Sequence, residues 1–375
     1  MSRYSSCLFL TNHELDQSKG ISKKILSQVE AIEKLGLQTY LLSYKEDNNC
    51  QIALINNGFF YNLGNKRERL LYKNGLFFNR LVHFIKERQI DCVYIRYTQF
   101  ADIYFLRFLH DVHLSCIKIY MEIPTYPYDG EFPNNGIKNV VFKWKDKILR
   151  QFFRFYVDRI VTFSTDKQIF GIPCLNISNA VDEKSIKLVS KTKRAENTIR
   201  MIGVANLNFW HGYDRMILGL KEYYSKPRKT KVVFTIVGRG NDTYYNKLVA
   251  MIHENQLEEY ILMVGSKSGK ELEEYFNASD VAIGSLGSHR KKIKETKTLK
   301  NVEYAMRGLP FVYAENNNDF DDKEYVLKVS SDETPIKIEE IVDFVDNNVF
   351  TPSLIRQSVL HLTWTNQMKI VFQSN

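Results

Sequence analysis

The sequence predicts an α/β protein with two doubly wound domains, and three observations lead to this prediction. A chain of 375 residues is longer than one hydrophobic core usually organises. Short apolar runs alternate with helical patterns through both halves, which is typical of parallel sheets covered by helices. A polar segment rich in Lys and Ser, Asp182–Asn197, separates the two series and is interpreted as the linker between the domains.

The first domain, residues 1–183, is predicted to contain six strands and four helices. The strands are expected at Cys7–Thr11, Gln38–Ser43, Cys92–Arg96, Ile117–Ile123, Arg159–Phe163 and Cys174–Ile177. The helices are expected at Gly20–Leu35, Asn79–Arg88, Ala101–Val112 and Lys138–Val157. The segment Asn48–Asn65 is less regular and has room for an extra strand.

The second domain, residues 198–350, repeats the alternation and is followed by a C-terminal segment, residues 351–375. Its strands are expected at Arg200–Val204, Lys231–Gly238, Ile261–Val264, Val281–Ile283 and Phe311–Tyr313. Its helices are expected at Tyr213–Tyr224, Thr243–Asn255, Lys270–Asn277, Asn301–Arg307 and Ile336–Asn347. Ligands of parallel sheets bind beyond the carboxyl ends of the strands, so we expect an active site in a cleft that both domains face.

The amino-acid composition excludes several classes of protein, and the net charge indicates which kind of partner to expect. An apolar content of 44% with 25% charged residues excludes a disordered chain, a collagen and a coiled coil. Lys and Arg exceed Asp and Glu by 52 to 43, which favours an anionic partner such as a phosphorylated ligand or a membrane surface. The basic residues are spread over both halves without a nucleic-acid motif, so nucleic acid is disfavoured.

Location is predicted from cysteines and hydropathy. The five cysteines form no CxxC motif, and we expect reduced thiols in a cytoplasmic protein. No apolar run approaches the ~18 residues that span a bilayer, and the N-terminus does not resemble a signal peptide. Any membrane contact is therefore expected to be peripheral, on the inner face of the cell membrane.

Two glycine turns have the pattern of anion-binding loops. Gly20 lies at the expected start of the first helix, where a missing Cβ lets backbone amides approach an anion; the alternative is a flexible capping loop. Gly238 begins a Gly-x-Gly turn after a predicted strand, where a tight turn is the alternative. Position 243 is Thr rather than a third glycine, so a nicotinamide cofactor is disfavoured.

The most informative segment runs from Glu295 to Glu303. A helical pattern begins only near Leu299, so we expect Glu295 in a loop and Glu303 within the helix. Free amides at the helix start would then lie between two carboxylates and be aimed at a ligand. The alternative is a surface loop with ordinary charges.

This segment resembles the Glu-x7-Glu motif of retaining GT-B glycosyltransferases of family 4, in the bacterial polysaccharide branch. Its Leu-Lys-x-x-Glu-Tyr core and the Gly-x-Pro-Phe turn that follows resemble those of that branch. Further similarities occur in the family's order, at Ser178–Asp182, Val237–Gly240, Ala278–Val281 and the Trp364-containing end. The resemblance implies two Rossmann-like domains facing a cleft, with a C-terminal helix that crosses back to the first domain.

The resemblance also implies roles by position. Glu303 would hold the ribose of a nucleotide-sugar donor, Glu295 would lie beside the transferred sugar, and Ser266 would meet the nucleobase. The diphosphate would be bound by the amides of Thr298 and Leu299, by Lys300, and by the turns at Gly20 and Gly238. Positive groups would stabilise the leaving group, so no metal and no other cofactor is expected.

The chain departs from the family at several positions. Asn206 and His211 stand where the family carries an Arg and a Lys that grip the diphosphate. His211, Arg215, Lys300 and the run Arg290–Lys292, including Lys292, are candidates to restore the positive charge. A usual histidine of the first domain is replaced by Met121–Glu131. There we expect catalytic carboxylates at Glu122 and Asp129 and acceptor-side rings at Tyr126 and Tyr128, a Pro-rich turn being the alternative. Asp319-Phe320-Asp321 is interpreted as a solvated loop rather than a metal site.

The helix Lys138–Val157 is amphipathic. Lys143, Lys147, Arg150 and Arg154 form a basic stripe, opposite an apolar stripe at Val141, Trp144, Ile148, Phe152 and Phe155. Such helices lie on anionic membranes, although an ordinary helix with a wet basic face fits as well. The two interpretations combine if the apolar stripe packs inward and the basic stripe touches lipid headgroups.

Together these features predict a glycosyltransferase that moves a sugar from a nucleotide sugar, most simply a UDP-sugar, with retention of configuration. The acceptor would be a lipid-linked saccharide in surface polysaccharide assembly. The alternative is a GT-B-like subunit without catalysis that binds an acceptor or a partner transferase; the loss of the Arg/Lys pair motivates it.

Overall fold

A computed structural model describes residues 4–16, 20–99, 101–128, 137–190, 194, 196–291 and 297–373. The chain divides into two compact units, which we call unit 1 and unit 2. Unit 1 comprises Met1–Ser178 with Thr363–Asn375, and unit 2 comprises Asn179–Leu362. The division falls before the predicted linker, because Ile186 and Val189 of that segment are buried in a core cluster of unit 2.

Unit 1 contains a nine-stranded sheet in the order β4-β3-β2-β1-β5-β6-β7-β9-β8. Its strands are β1 Ser6–Thr11, β2 Gln38–Asp47, β3 Cys50–Ile55, β4 Gly58–Gly64, β5 Cys92–Arg96, β6 Lys118–Ile123, β7 Arg159–Thr162, β8 Gln168–Ile169 and β9 Ile172–Asn176. Its helices are α1 Gly20–Lys34, α2 Lys66–Glu68, α3 Asn74–Glu87, α4 Ile103–Leu114, α5 Ile137–Leu149 and, at the C-terminus, α12 Trp364–Gln373.

The irregular segment after β2 forms a hairpin extension of the sheet. β2 pairs antiparallel with β3, and β3 pairs antiparallel with β4. Each connection is a pair of asparagines with positive φ, Asn48-Asn49 and Asn56-Asn57. Two-residue hairpin turns need φ above zero at both positions, and asparagine tolerates that conformation best after glycine.

Helices cover both faces of the unit 1 sheet. α12 packs against α1 on one face, where Phe372 lies 5.5 Å from the Tyr120 ring. α3 and α4 lie on the other face with the 3₁₀ segment Arg150–Phe155, joined through Phe105 and Phe153. The predicted single helix Lys138–Val157 is thus α5 followed by a tighter 3₁₀ turn.

Unit 2 contains a parallel sheet in the order β12-β11-β10-β13-β14-β15. Its strands are β10 Thr198–Val204, β11 Lys231–Val237, β12 Ile261–Gly265, β13 Val281–Ile283, β14 Phe311–Tyr313 and β15 Val326–Lys328. Its helices are α6 Tyr213–Tyr224, α7 Asp242–Glu254, α8 Gly269–Asn277, α9 Leu299–Arg307, α10 Ile338–Asp346 and α11 Pro352–Ser358. The two parallel-sheet units confirm the predicted α/β fold class.

Candidate functional site

The carboxyl edge of the unit 2 sheet brings two loops together. β10 and β13 are neighbours in the sheet but distant in sequence, so the loops that follow them leave from a topological switch point. The Leu286 N–H donates to the His211 carbonyl at 2.9 Å, and the Gly287 N–H donates to the Trp210 carbonyl at 3.2 Å. These bonds join the 205–212 loop to the loop that leads toward α9.

Two glycines are required for this close packing. Gly212 has φ of 67°, and a Cβ there would overlap the backbone at Gly287. Gly238 has φ of 128°, and a Cβ there would overlap the Ala205 carbonyl. The Gly-x-Gly turn therefore has a packing role between loops, and a donor contact at Gly238 stays a prediction.

The amino end of α9 is not capped by its own N-cap side chain. Thr298 occupies the N-cap position with extended backbone, yet its side chain makes no capping hydrogen bond. Its hydroxyl instead donates to Glu315 Oε1 at 2.7 Å. The first amides of α9, beginning at Leu299, are thus left uncapped by Thr298, and a helix start in this condition attracts an anion.

Glu315 is a buried carboxyl that the sequence analysis missed. It lies in the loop after β14 and accepts hydrogen bonds from Asn301 Nδ2 at 2.9 Å and from Ser288 Oγ at 3.1 Å, besides that of Thr298. Burial raises the pKa of Glu315 to about 7, although the three donors and the nearby Lys300 oppose the rise. The carboxyl thus connects the loop after β13, the start of α9 and the loop after β14.

Lys300 places an ammonium group beside the start of α9. Its Nζ atom is buried and has no hydrogen-bond partner among the described residues. It lies 5.9 Å from the centroid of the Tyr213 ring. Burial lowers the pKa of Lys300 to about 8, while Glu315 and Glu303 act in the opposite direction. A buried ammonium without a partner is costly, and an anionic ligand would relieve that cost.

His211 faces the same region as a neutral imidazole. Its Nδ1 accepts a hydrogen bond from the Asn208 N–H at 3.0 Å, so a proton on the neutral ring belongs on Nε2. Burial, followed by the charge of Lys300, lowers the pKa of His211 to about 2. The expectation that His211 restores positive charge is therefore wrong, although its Nε2–H is a hydrogen-bond donor. Asn206, by contrast, is exposed on the same loop.

Arg215 is the second correction. Its side chain is buried in α6, and the guanidinium donates to the carbonyls of Leu286, Ser330 and Thr334. This buried network fixes the backbone around the site, and it leaves the guanidinium unsuited to gripping a diphosphate.

Arg290 is also engaged within the protein. Its guanidinium pairs with Asp214 at 3.0 Å and with Glu333 at 2.5 Å. Lys291 Nζ lies 5.0 Å from the centroid of the Trp210 ring, and Lys292 and Glu295 lie outside the described residues. Among the described residues of unit 2, Lys300 is therefore the candidate cation whose side chain has no hydrogen-bond partner.

Glu303 and Ser266, the remaining donor-side candidates of unit 2, are partly or fully exposed. Glu303 lies on α9 with its side chain 32% exposed, and its Oε1 accepts from Arg307 Nη2 at 3.0 Å. Arg307 also pairs with Glu273, which holds it in place. Ser266 is exposed directly after β12. Both positions are open to a ligand at the carboxyl edge of the sheet.

Gly20 begins α1 in unit 1 and is exposed. A Cβ built at this position meets no described atom within 4 Å. Local packing therefore gives no reason for glycine here, and a ligand contact stays a prediction.

Glu122 is enclosed in the core of unit 1. It pairs with Arg96 and accepts hydrogen bonds from Tyr94 at 2.6 Å and Gln28 at 2.7 Å, and Lys24 Nζ lies 3.8 Å away. Burial would raise the pKa of Glu122, but Arg96 and then Lys24 outweigh burial and lower it. The carboxylate has no exposed surface. The expected catalytic role of Glu122 is thus not supported, because the group cannot touch a substrate without leaving this network.

Tyr128 is likewise a core residue rather than an acceptor contact. Its hydroxyl donates to Asp146 Oδ2 at 3.0 Å, and its side chain is buried. Tyr126 is partly buried, with its ring 5.9 Å from that of Phe170. Asp129 lies outside the described residues. Of the predicted acceptor residues that the structure describes, Tyr126 alone has exposed surface to offer.

The amphipathic helix is oriented opposite to the prediction. The apolar stripe Val141, Trp144, Ile148, Phe152 and Phe155 is exposed, by between 44 and 61% of each residue. Arg150 turns inward, where it approaches Asp146 at 3.4 Å and lies over the Tyr128 ring. Lys147 lies 5.6 Å from the Trp144 ring, and Arg154 lies 5.0 Å from the Phe155 ring. The outer surface of the helix is therefore aromatic and basic at once.

Asp321 is exposed, as expected of a solvated loop, whereas Asp319 is only partly exposed, and both carboxylates are paired. Asp319 lies 3.5 Å from Lys297 Nζ, and Asp321 accepts from the Tyr313 hydroxyl and pairs with Lys328 at 3.1 Å. Within the described ranges, no group of three or more His, Cys, Asp or Glu residues is arranged to hold a metal ion. In the same ranges no helix has the length and hydropathy needed to cross a membrane.

Comparisons with known proteins agree with the geometry of unit 2. The sequence model of the family described as glycosyl transferases group 1 matches residues 185–318, which include β10 to β14 and the α9 region. No curated protein sequence matches the chain closely enough to count as a relative.

Solved structures resemble the whole chain. A glycosyltransferase from Rickettsia africae has a TM-score of 0.67 at 11% identity, over 99% of this chain and 97% of that chain. Sucrose-phosphate synthase from Thermosynechococcus elongatus has a TM-score of 0.64 at 12% identity, over 99% and 98%. Anabaena HepE, solved with UDP, has a TM-score of 0.62 at 12% identity, over 97% and 98%; it was also solved with UDP-glucose. The chain thus has the GT-B glycosyltransferase fold, with its group 1 sequence match in unit 2.

Proposed function

We propose that the protein is a retaining glycosyltransferase of family 4 that transfers a sugar from a UDP-linked donor to a lipid-linked saccharide in surface polysaccharide assembly. The observation that carries the proposal is the buried Lys300 ammonium, which has no hydrogen-bond partner among the described residues and lies beside a helix start that Thr298 does not cap. The complexes of HepE with UDP and UDP-glucose support the choice of nucleotide.

The proposed chemistry begins with the diphosphate of the donor. The α9 amides at Leu299 and Lys300, the Lys300 ammonium and the His211 Nε2–H would surround it. Helix amides favour an anion by roughly 0.3–1 kcal/mol, and a buried ammonium adds a full charge. These groups would stabilise the negative charge that develops on UDP as the bond to the sugar breaks, and no metal would be needed.

The other donor contacts rest on the resemblance. Glu303 would accept hydrogen bonds from the ribose hydroxyls, and Glu295 would lie beside the sugar that is transferred. The remaining proposed donor positions are Gly20, Asn206, Gly238, Ser266, Lys292 and Thr298. Retention of configuration would follow from leaving and incoming oxygens on the same face of an oxocarbenium-like sugar.

The lipid-linked acceptor is proposed from the outer surface of α5. An exposed aromatic stripe accompanied by lysines is the composition of helices that lie in a membrane interface. The stripe would enter the headgroup region while Lys143, Lys147 and Arg154 contact anionic lipid, at about 1 kcal/mol for each basic residue. This arrangement would bring the protein to a membrane-borne acceptor.

A non-catalytic subunit remains the second candidate. The neutral His211 and the buried Arg215 favour it, because neither replaces the cations that the family carries. UDP binding distinguishes the two functions, since a subunit that only holds an acceptor has no need of it.

A thermal-shift experiment with UDP and a panel of other nucleotides tests the proposal. We expect UDP to raise the Tm, and we expect Lys300→Met to abolish the shift. Lys231→Met is the matched control, because Lys231 is exposed at the start of β11 and pairs with surface Glu259 at 2.5 Å. A wild-type protein that responds to no nucleotide favours the subunit. Release of UDP from a UDP-sugar then identifies the donor.

A further inference from the structure

A second exposed apolar segment lies in unit 1, between β4 and α3. Leu70, Leu71, Tyr72 and Leu76 are each exposed by between 49 and 66%. The surfaces of most soluble proteins scatter such side chains singly, so four within seven residues mark a contact surface. We call residues 66–76 the basic–apolar segment.

The backbone of this segment is well fixed, so its exposure is not a consequence of fraying. Asn65 caps α2 through a capping box with Glu68. A π-helical turn, Arg69–Lys73, then leads into α3 without a break. Tyr104 of α4 donates its hydroxyl to the Leu71 carbonyl at 3.1 Å, and Asn74 donates to Asp102 at 3.0 Å. π-Helical turns of this kind occur frequently at functional sites.

A groove separates the segment from α4. Its volume is about 300 Å³, and its walls include Leu71, Leu76, Phe78, Tyr104 and Phe108. Ile103, in the first turn of α4, adds a further exposed apolar side chain nearby. The basic–apolar segment and the first turn of α4 therefore form one continuous apolar surface.

Positive charge surrounds this surface. The cations of the segment and of neighbouring α4 are Lys66, Arg67, Arg69, Lys73 and Arg107. The three nearby acids are already engaged: Glu68 pairs with Lys73 at 3.3 Å, Asp111 pairs with Arg107 at 3.9 Å, and Asp102 accepts hydrogen bonds from Asn74 and from the Phe105 N–H. The net charge of the surface is therefore positive, which complements an anionic layer.

The topology places this surface at the same end of unit 1 as the start of α5. β4, β5 and β6 run parallel to one another in the sheet, and they lead into α3, α4 and α5 respectively. The start of the basic–apolar segment and the first turn of α4 thus follow strand ends at the carboxyl edge of the sheet. α3, α4 and the 3₁₀ segment after α5 belong to one layer.

We propose that the basic–apolar segment is a second membrane-binding element, which inserts Leu70, Leu71 and Tyr72 into an anionic lipid surface. Interleaved cations and short apolar side chains are suited to lipid headgroups and the acyl chains beneath them. This inference rests on the proposed lipid-linked acceptor, and it gives unit 1 two contacts with the bilayer instead of one.

Co-sedimentation of the full chain with vesicles tests the proposal. One set of vesicles contains phosphatidylcholine alone, and the other contains phosphatidylcholine with about 30% phosphatidylglycerol, an anionic lipid. We expect binding to the anionic vesicles, and we expect Leu70→Ser with Leu71→Ser to weaken it about tenfold or more. Leu114→Ser is the control, because Leu114 is equally exposed at the far end of α4. Lys66→Glu with Arg67→Glu should weaken anionic binding and reduce its salt dependence.

The outcomes separate this inference from the proposed function. Unchanged vesicle binding by the double leucine variant overturns the inference, even if UDP still shifts the Tm. If the double leucine variant binds vesicles more weakly but UDP does not change the Tm of the wild type, the lipid contact is supported and the proposed donor site is not. Light scattering covers the remaining case: if the variant changes the oligomeric mass and not vesicle binding, the surface is an interface between copies of this chain and the proposal is overturned.

Discussion

The hydroxyl of Thr298 donates to the buried carboxylate of Glu315 at 2.7 Å instead of capping the helix that Thr298 begins. The same oxygen of Glu315 accepts from Asn301, one turn into α9. The carboxyl therefore fixes the start of α9 through side-chain hydrogen bonds, and the first backbone amides of the helix remain available to a ligand. We expect Glu315 to be a positioning residue for the donor, although it would not touch the reacting atoms.

Substitution of Glu315 separates its hydrogen bonds from its charge. In Glu315→Gln the amide oxygen keeps the Thr298 and Asn301 bonds, and the amide nitrogen donates to the Ser288 hydroxyl. We expect the fold to persist and UDP affinity near pH 6 to change little, whereas Glu315→Ala should lower UDP affinity about tenfold or more. Calorimetric titration at pH 6 measures both, with Glu315→Ala checked for folding by circular dichroism. Equal losses in the two variants would contradict this assignment.

UDP affinity should fall as pH rises through about 8. Lys300 has a pKa lowered to about 8, so above that pH it loses the charge that would attract the diphosphate. Glu315→Gln removes a negative neighbour and should move this alkaline loss to lower pH, because Glu315 raises the pKa of Lys300. The groups that face Glu315 include Lys300, Tyr313 and the hydroxyls of Ser288 and Thr298. Dissociation constants measured from pH 6 to 9 test this shift, and the further loss of affinity above pH 8 should be absent in Lys300→Met.

Lys300→Met should also stabilise the protein. The folded pKa lies below the ordinary value of 10.5, so the unfolded chain binds the proton more tightly between pH 8 and 10.5. The penalty for a charged Lys300 is thus fully present below pH 8, and it amounts to roughly 3 kcal/mol because each tenfold change in proton affinity is worth about 1.4 kcal/mol. Urea unfolding at pH 7 should show a higher midpoint for the variant. A lower midpoint would indicate that Lys300 has a structural partner.

The fold was predictable wherever apolar runs were continuous. β5 and β13 have their predicted bounds because each is a short run of fully buried residues. β3 and β4 are only partly buried, so no apolar run marks them. The paired asparagines between these strands were the available signal for the hairpins.

The site was predictable only in part. Lys300 and Thr298 follow from the resemblance, but Glu315 does not, because the pairing of β13 with β14 brings it beside Ser288. Arg215 was misassigned because the sequence does not show whether a cationic side chain on a helix will be buried or exposed. The prediction that the apolar stripe of α5 packs inward was wrong for a related reason, because periodicity identifies an apolar face but not what that face contacts.

His211 should support UDP binding as a donor and not as a cation. Its pKa of about 2 keeps the ring neutral, so its contribution to UDP affinity should not change between pH 5 and 8. His211→Ala should lower UDP affinity several-fold, and His211→Gln should recover part of the loss through its amide N–H. Parallel titrations at pH 5.5 and 7.5 measure this. A contribution that grows as the pH falls would show that the ring is charged when UDP is bound.

His211 also predicts loss of stability in acid. The folded pKa is lowered from 6.5, so the unfolded chain takes up a proton that the folded chain does not. Stability should be unaffected above about pH 6.5 and should fall by up to about 1.4 kcal/mol for each pH unit below it. Urea unfolding of the wild type and of His211→Gln at pH 4.5 and 7.5 isolates this slope, because glutamine does not titrate.

Glu122 should be essential to folding and not to chemistry. Glu122→Gln leaves Arg96 buried without its counter-charge, which costs about 3–5 kcal/mol when one partner of a buried pair is removed. We expect a large fall in the unfolding midpoint, with UDP affinity of the remaining folded protein unchanged. Lys24→Met should restore part of the lost stability, because it removes a second cation that Glu122 balances. A catalytic Glu122 would instead give a stable protein with normal UDP binding and no transfer.

The orientation of α5 predicts opposite results for neighbouring residues of one helix. Trp144→Ser with Ile148→Ser removes two exposed apolar side chains, so it should reduce sedimentation with anionic vesicles and leave the Tm unchanged. Arg150→Gln removes the cation that lies beside buried Asp146, so it should lower the Tm and spare vesicle binding. If Arg150→Gln alone reduces vesicle binding at unchanged Tm, the basic stripe faces the lipid after all. Measuring both variants in the same vesicles decides which side of the helix meets the membrane.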